Sequence, residues 1–128
     1  MKGTLDKAFG YQDNAMALPV ADADAAASFY EQKLGFQVTS RSDTPYKTVV
    51  LARDHVEMAL VESGGDPTQD GCAFHVTGLD ALLAEFKANG IDKGAGEVGT
   101  ENHSGGTFRV FYVVAPDGLC YWFGEKQT

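Results

Sequence analysis

Apolar residues recur along this chain with two periods, and the same succession of periods occurs twice. Over 79–89, Leu79, Leu82, Leu83 and Phe86 fall at i, i+3, i+4 and i+7, the single apolar stripe of an amphipathic helix. Over 23–34, Ala26, Phe29, Tyr30 and Leu34 draw a similar but smaller stripe. Each helical stretch follows a strand-like run and stops at a glycine before an apolar residue, Gly35-Phe36 in the first and Gly90-Ile91 in the second. Val20 aligns with Val76, Asp24 with Asp80, Ala25 with Ala81 and Tyr30 with Phe86 at one constant offset. One deletion later Gly35 aligns with Gly90 and Phe36 with Ile91, which points to a duplicated unit. Asp22 is placed to cap the first helix. Thr77 with Asp80 resembles a capping box for the second, and Gly35 and Gly90 suit the left-handed residue that ends a helix.

Around these helices the pattern alternates with period two. Strands are expected over 15–21, with Pro19 at an edge or strand end, and over 36–41, 46–52 and 56–62, with a hairpin at Arg53-Asp54-His55. The stretch 63–71 reads as a linker. Further strands are expected at 72–76, weakly from Ile91, at 107–114 and at 119–123, with a glycine-rich loop over 94–106 that could border a site. The order is βαβββ, linker, βαβββ. A single such unit leaves one sheet face bare. Two units with their sheets side by side place the helices outside and enclose a cleft between the inner faces. The expectation is an α+β domain over 1–128, with a first module at about 15–62 and a second at about 72–124 that superpose as a pseudo-twofold pair.

Composition narrows the function classes. A chain of 128 residues with 44% hydrophobic content suits one domain with its own core. No run reaches the length of a membrane span, and the polar stretch 1–14 lacks the apolar core of a signal peptide, so a cytoplasmic protein is expected. Cys72 and Cys120 show no CxxC spacing and read as free thiols. A net charge of −8 and a pI near 4.6 argue against nucleic acid and favour a cationic small molecule, although plain solubility explains the same charge.

The segments Leu18-Pro19-Val20-Ala21-Asp22, Ser28-Phe29-Tyr30-Glu31 and Leu34-Gly35-Phe36, with the run from Gly106 to Pro116-Asp117-Gly118, resemble the vicinal oxygen chelate superfamily. That group holds glyoxalase I, the fosfomycin-resistance thiol transferases, extradiol dioxygenases and the bleomycin-resistance binding proteins. The likeness spans about 14–125 and speaks to fold more than reaction. It departs from the family at Ala115 and Leu119, where Asp and Asn are frequent. The resemblance implies two βαβββ modules in a curved mixed sheet around a cleft, and in many relatives a dimer that completes the pocket.

Metal-dependent members draw ligands from four places, which fall here at Ala15, Ala59 (or Glu57 in a shifted register), Gly71 and Trp122. Ala, Gly and Trp cannot hold a divalent ion, so no metal and no cofactor is expected. Strand parity in the family's register then turns Ala17, Glu57, Val61, Ala73, His75, Phe108, Val110, Tyr112 and Cys120 inward. The outward set is Met16, Leu18, Val20, Met58, Leu60, Cys72, Phe74, Val76, Tyr121 and Phe123, which is apolar and can bury against the helices.

Candidate ligand-binding residues are therefore Trp122 and Tyr112 for stacking or cation–π contact, Phe108 and Val110 beside them, His75 and Glu57 as polar groups, and His103 if its loop closes. For each ring the competing reading is ordinary packing, for His75 a hydrogen-bonded strand residue, and for Glu57 a solvated rim carboxylate. His55 reads as surface, and Arg109 as outward and paired with an acid or a partner subunit. Two function classes stay open. One is metal-free sequestration of an aromatic or cationic molecule, as in antibiotic resistance of the bleomycin type. The other is a lyase, isomerase, thiol transferase or dioxygenase with an atypical ligand set such as Glu57, His75 and His103. A homodimer is expected from exposed sheet edges, with Phe9, Tyr11 and Tyr46 as contributing aromatics, and no membrane or nucleic-acid partner.

Overall fold

The computed structural model describes residues 3–10, 18–44, 46–67, 70–91, 98–103 and 106–127. Tyr11, Ala15, Met16 and Ala17 lie outside the described residues, as do the side chains of Phe9 and His103. The described elements run β1 (Thr4–Gly10), β2 (Leu18–Pro19), α1 (Ala23–Lys33), β3 (Gln37–Ser42), β4 (Thr48–Arg53), β5 (Val56–Val61), β6 (Gly71–Thr77), α2 (Leu79–Ala88), β7 (Gly99–His103), β8 (Gly106–Val114) and β9 (Cys120–Gln127).

They form two mixed sheets with the orders β2-β5-β4-β3 and β1-β6-β9-β8-β7. The strand before each helix lies parallel to the last strand of its group, β2 beside β5 and β6 beside β9. The remaining pairs are antiparallel. Leaving β1 aside, the two sheets therefore share one strand order, and the fold is the mixed α+β arrangement the pattern predicts.

Two elements differ from what the pattern predicts. The polar stretch expected to carry no element contains β1, whose Leu5 is fully buried and whose backbone pairs with β6. The stretch read as a glycine-rich loop contains β7, paired with β8 from Gly99↔Val110 to His103↔Gly106. Ile91 is a buried residue after α2, and residues 92–97, over which the weak strand expected from it would run, lie outside the described residues. Both missed strands lie at sheet edges, where a strand needs only one buried face or one ladder and shows little apolar alternation.

The helix starts also divide. Asp22 caps α1 through the Ala25 N–H, and Glu62 accepts from the Ala23 N–H at 2.8 Å. The capping box at Thr77 and Asp80 does not form. Gly78 adopts φ 79° at the N-cap, Thr77 donates to Asp6, and Asp80 pairs with Arg109. Instead Glu125 of β9 accepts from the N–H groups of Gly78 and Leu79 at 3.0 and 3.1 Å. In both halves the carboxylate just beyond or within the last strand sits on the adjacent helix start, where the helix dipole favours negative charge. Gly35 and Gly90 have the expected left-handed φ, 74° and 96°.

Ala23, Ala27 and Tyr30 of α1 and Leu79, Leu82, Leu83 and Phe86 of α2 bury against one face of the strands. There they meet Leu18, Val20, Met58, Leu60, Cys72, Phe74, Val76, Phe111, Val113, Tyr121 and Phe123 in a single core that both sheets share. Each large side chain removed from water there contributes about 1.5–3 kcal/mol. The Tyr30 and Tyr121 hydroxyls hydrogen-bond to each other inside this core.

Two further polar contacts tie the halves together. Arg53 is 8% exposed and uses every N–H, donating to Asp54, to both oxygens of Glu85 on α2, and to the carbonyls of Leu34 and Gly3. Burial opposes its charge, but Glu85 and Asp54 outweigh that and hold the guanidinium above its ordinary pKa. At the helix ends Lys33 Nζ donates to the Asn89 carbonyl at 2.8 Å, and Asn89 Nδ2 donates to the Lys33 carbonyl at 3.1 Å.

Candidate functional site: an aromatic seat on the helix-free face

The sheet face opposite the helices carries its own chemistry. On β8 the alternation splits the side chains cleanly, with Phe111 and Val113 in the main core and Phe108 and Val110 in a second cluster with Trp122. On β9 the same alternation sends Tyr121 and Phe123 to the helices and Trp122 the other way. On β6 it sends Phe74 to the helices and leaves Ala73 packed against the second cluster.

Register brings these residues side by side. Trp122 lies between Ala73 of β6 and Tyr112 of β8, and Gly124 lies between His75 and Val110. A Cβ placed on Gly124 would come 2.2 Å from the Trp122 ring, so the indole lies across this glycine. Gly124 is required here for space and not for an unusual φ. Phe108 meets the indole edge-on at 5.5 Å, and His75 meets Phe108 and Trp122 at 5.5 and 5.6 Å between ring centres. The edge-to-face pairs of Phe108 with Trp122 and with His75 match the charge distribution of aromatic rings.

One carboxylate spans the seat. Glu101 of β7 accepts from Trp122 Nε1 at 3.1 Å through one oxygen and from the Tyr112 hydroxyl through the other. Burial, and then the Glu101 hydrogen bond, push the Tyr112 phenol up to about 12, so it remains a donor at neutral pH. Trp122 is 9% exposed, Phe108 4% and Val110 2%, whereas Tyr112 is 40% exposed and forms the open side.

The structure thus brings together five of the candidate residues, Trp122, Tyr112, His75, Phe108 and Val110. Glu57 stands apart, exposed on β5 in the other sheet. His103 ends β7 rather than lying in a loop, and its side chain is outside the described residues. His55 is exposed, and Arg109 faces α2, bonded to both oxygens of Asp80 at 2.8 and 2.9 Å. Glu101 escaped the sequence reading because Gly99–His103 has no apolar alternation to mark it as a strand.

The positions where relatives hold a metal do not fit one. Ala59, Gly71 and Trp122 offer no carboxylate, imidazole or thiolate, and among the described residues no three His, Cys, Asp or Glu side chains converge. Among the described residues no helix is long and apolar enough to cross a membrane.

Comparison with known proteins supplies the rest. The chain shares its fold with a bleomycin-binding protein solved in complex with bleomycin, with 25% identity, a TM-score of 0.67, and 91% of this chain and 100% of that one covered. A bleomycin resistance determinant encoded on the transposon Tn5 gives 23% identity and a TM-score of 0.69 over 88% and 96% of the two chains. An integron cassette protein from the mobile metagenome of V. cholerae gives 20% and 0.69 over 88% and 92%. No curated protein matches the chain in sequence at a significant level. The model of the Glyoxalase/Bleomycin resistance protein/Dioxygenase superfamily matches residues 13–120, and the chain belongs to that family.

Proposed function

We propose that this protein binds and sequesters a small aromatic or cationic organic molecule without a metal, using the seat around Trp122. The observation that carries this reading is the aromatic cluster of Trp122, Phe108, His75 and Tyr112, set on the face away from the helices and apart from the main core. A planar ligand stacks on such rings and a cation is drawn to their faces. Relatives that bind bleomycin or confer resistance to it support the class of ligand. Donor-poor residues at Ala59, Gly71 and Trp122 support a metal-free mode.

Trp122 is the single tryptophan, so its emission reports the site directly. Titration with bleomycin and with a cationic aromatic dye is expected to quench or shift that emission saturably. Unchanged emission with every probe, or stoichiometric transition metal retained by the purified protein, would overturn the reading.

The working form is proposed to be a homodimer. Tyr46, Tyr112 and Val114 are 49%, 40% and 48% exposed, and the inner face of the four-stranded sheet bears Val50, Ala52 and Val61 only partly covered. A twofold copy is the commonest partner for such a surface. Each chain brings a charge of −8, so added salt is expected to strengthen association. A sedimentation mass that stays near 13.7 kDa at all concentrations and salts would reject the dimer.

A further inference from the structure

We infer that Glu101 is the positioning residue of this site, setting the angle of both the Trp122 and the Tyr112 ring. The ladder places Glu101 opposite Phe108, whereas Tyr112 lies opposite Trp122, four residues further along β8. Both rings must therefore lean along the sheet toward Glu101 to reach it. For Trp122 this lean is visible in the indole lying across Gly124. Glycine gives that ring room but no side chain to hold it. Phe108 flanks it edge-on and His75 at a tilt, and both limit sideways travel. A directional restraint comes from the carboxylate, which among the described residues accepts the indole N–H from β9 on one oxygen and the phenol O–H from β8 on the other. Hydrogen bonds to a charged acceptor are shorter and stronger than neutral ones. A carboxylate with both oxygens engaged fixes the two rings relative to each other, so the exposed Tyr112 ring meets a planar ligand at one preset angle to the nearly buried indole.

The ligand part of this inference rests on the binding reading above; the ring geometry does not. Steady-state anisotropy of the Trp122 emission and the near-ultraviolet circular dichroism of the aromatic residues read the restraint in the unliganded protein. Titration with bleomycin and the cationic dye reads its consequence. Glu101→Ala is expected to lower the anisotropy, weaken the near-ultraviolet signal and weaken probe binding roughly tenfold, the loss of about one charge-assisted hydrogen bond. Glu101→Gln keeps an acceptor for the indole and a donor for the Tyr112 oxygen, and is expected to restore both signals. Tyr112→Phe, at an exposed position that does not threaten folding, is expected to give a smaller fall in anisotropy. Wild-type anisotropy in both Glu101→Ala and Tyr112→Phe overturns the inference, as does a loss in Glu101→Gln as large as in Glu101→Ala. A wild-type protein that binds neither probe, combined with a loosened indole in Glu101→Ala, upholds the positioning role and rejects the binding reading.

Discussion

A glycine on a strand usually weakens it, because it adds backbone freedom and packs nothing. Gly124 lacks a side chain to a different end: the Trp122 ring occupies the volume where its Cβ would be. Gly124→Ala is expected to lift the indole off the sheet. It should destabilise the fold by about 1–3 kcal/mol, as overpacking does, and remove the near-ultraviolet signal of Trp122; thermal unfolding and circular dichroism check both. The inward residues were legible in the sequence because strand parity is strict. Once Trp122 faces the cleft, Tyr112, Val110, Phe108, His75 and Ala73 follow by pairing and alternation. Neither Gly124 nor Glu101 was legible. What makes each of them matter is a neighbour on another residue's side chain, and period alone says nothing of where an indole leans or what its N–H meets.

Among the elements, the start of α2 shows how a local signal is overridden. Thr77 and Asp80 have the spacing of a capping box, yet Gly78 takes a left-handed turn between them and Glu125 reaches the open N–H groups from a strand far along the chain. Glu125→Ala is expected to cost about 1–2 kcal/mol, in the range of a lost helix cap, whereas Thr77→Ala, which removes only an exposed bond to Asp6, should cost a few tenths. Urea midpoints of the two variants separate the readings, and a larger effect at Thr77 would restore the capping box. Where stripes were wide, as in α2, the helix was read within a residue or so of its bounds. Where an element rests on backbone pairing at a sheet edge, as in β1 and β7, the residues Thr4–Gly10 and Gly99–His103 carry too few apolar positions to announce it.

On the scale of the whole molecule, Arg53 joins four separate stretches of chain: the N-terminal segment at Gly3, the end of α1 at Leu34, the hairpin at Asp54 and α2 at Glu85. Arg53→Ala strands the Glu85 carboxylate and two carbonyls, and should destabilise the protein by about 3–5 kcal/mol, the usual cost of breaking a buried pair from one side. Arg53→Lys should recover only part of this, since an ammonium cannot address both Glu85 oxygens with a planar fork. Chemical denaturation followed by Trp122 emission and by far-ultraviolet circular dichroism checks the magnitudes, and coincident curves would show that the halves unfold together. The contact at the helix ends has a different bearing. Lys33 and Asn89 each reach past the other's side chain to its main-chain carbonyl. A carbonyl is present whatever residue stands there, so the seam asks of each position only a side chain able to donate. A gene encoding one half, joined end to end with its own copy, would have closed this seam at once. Its two descendants could then drift apart codon by codon without opening it.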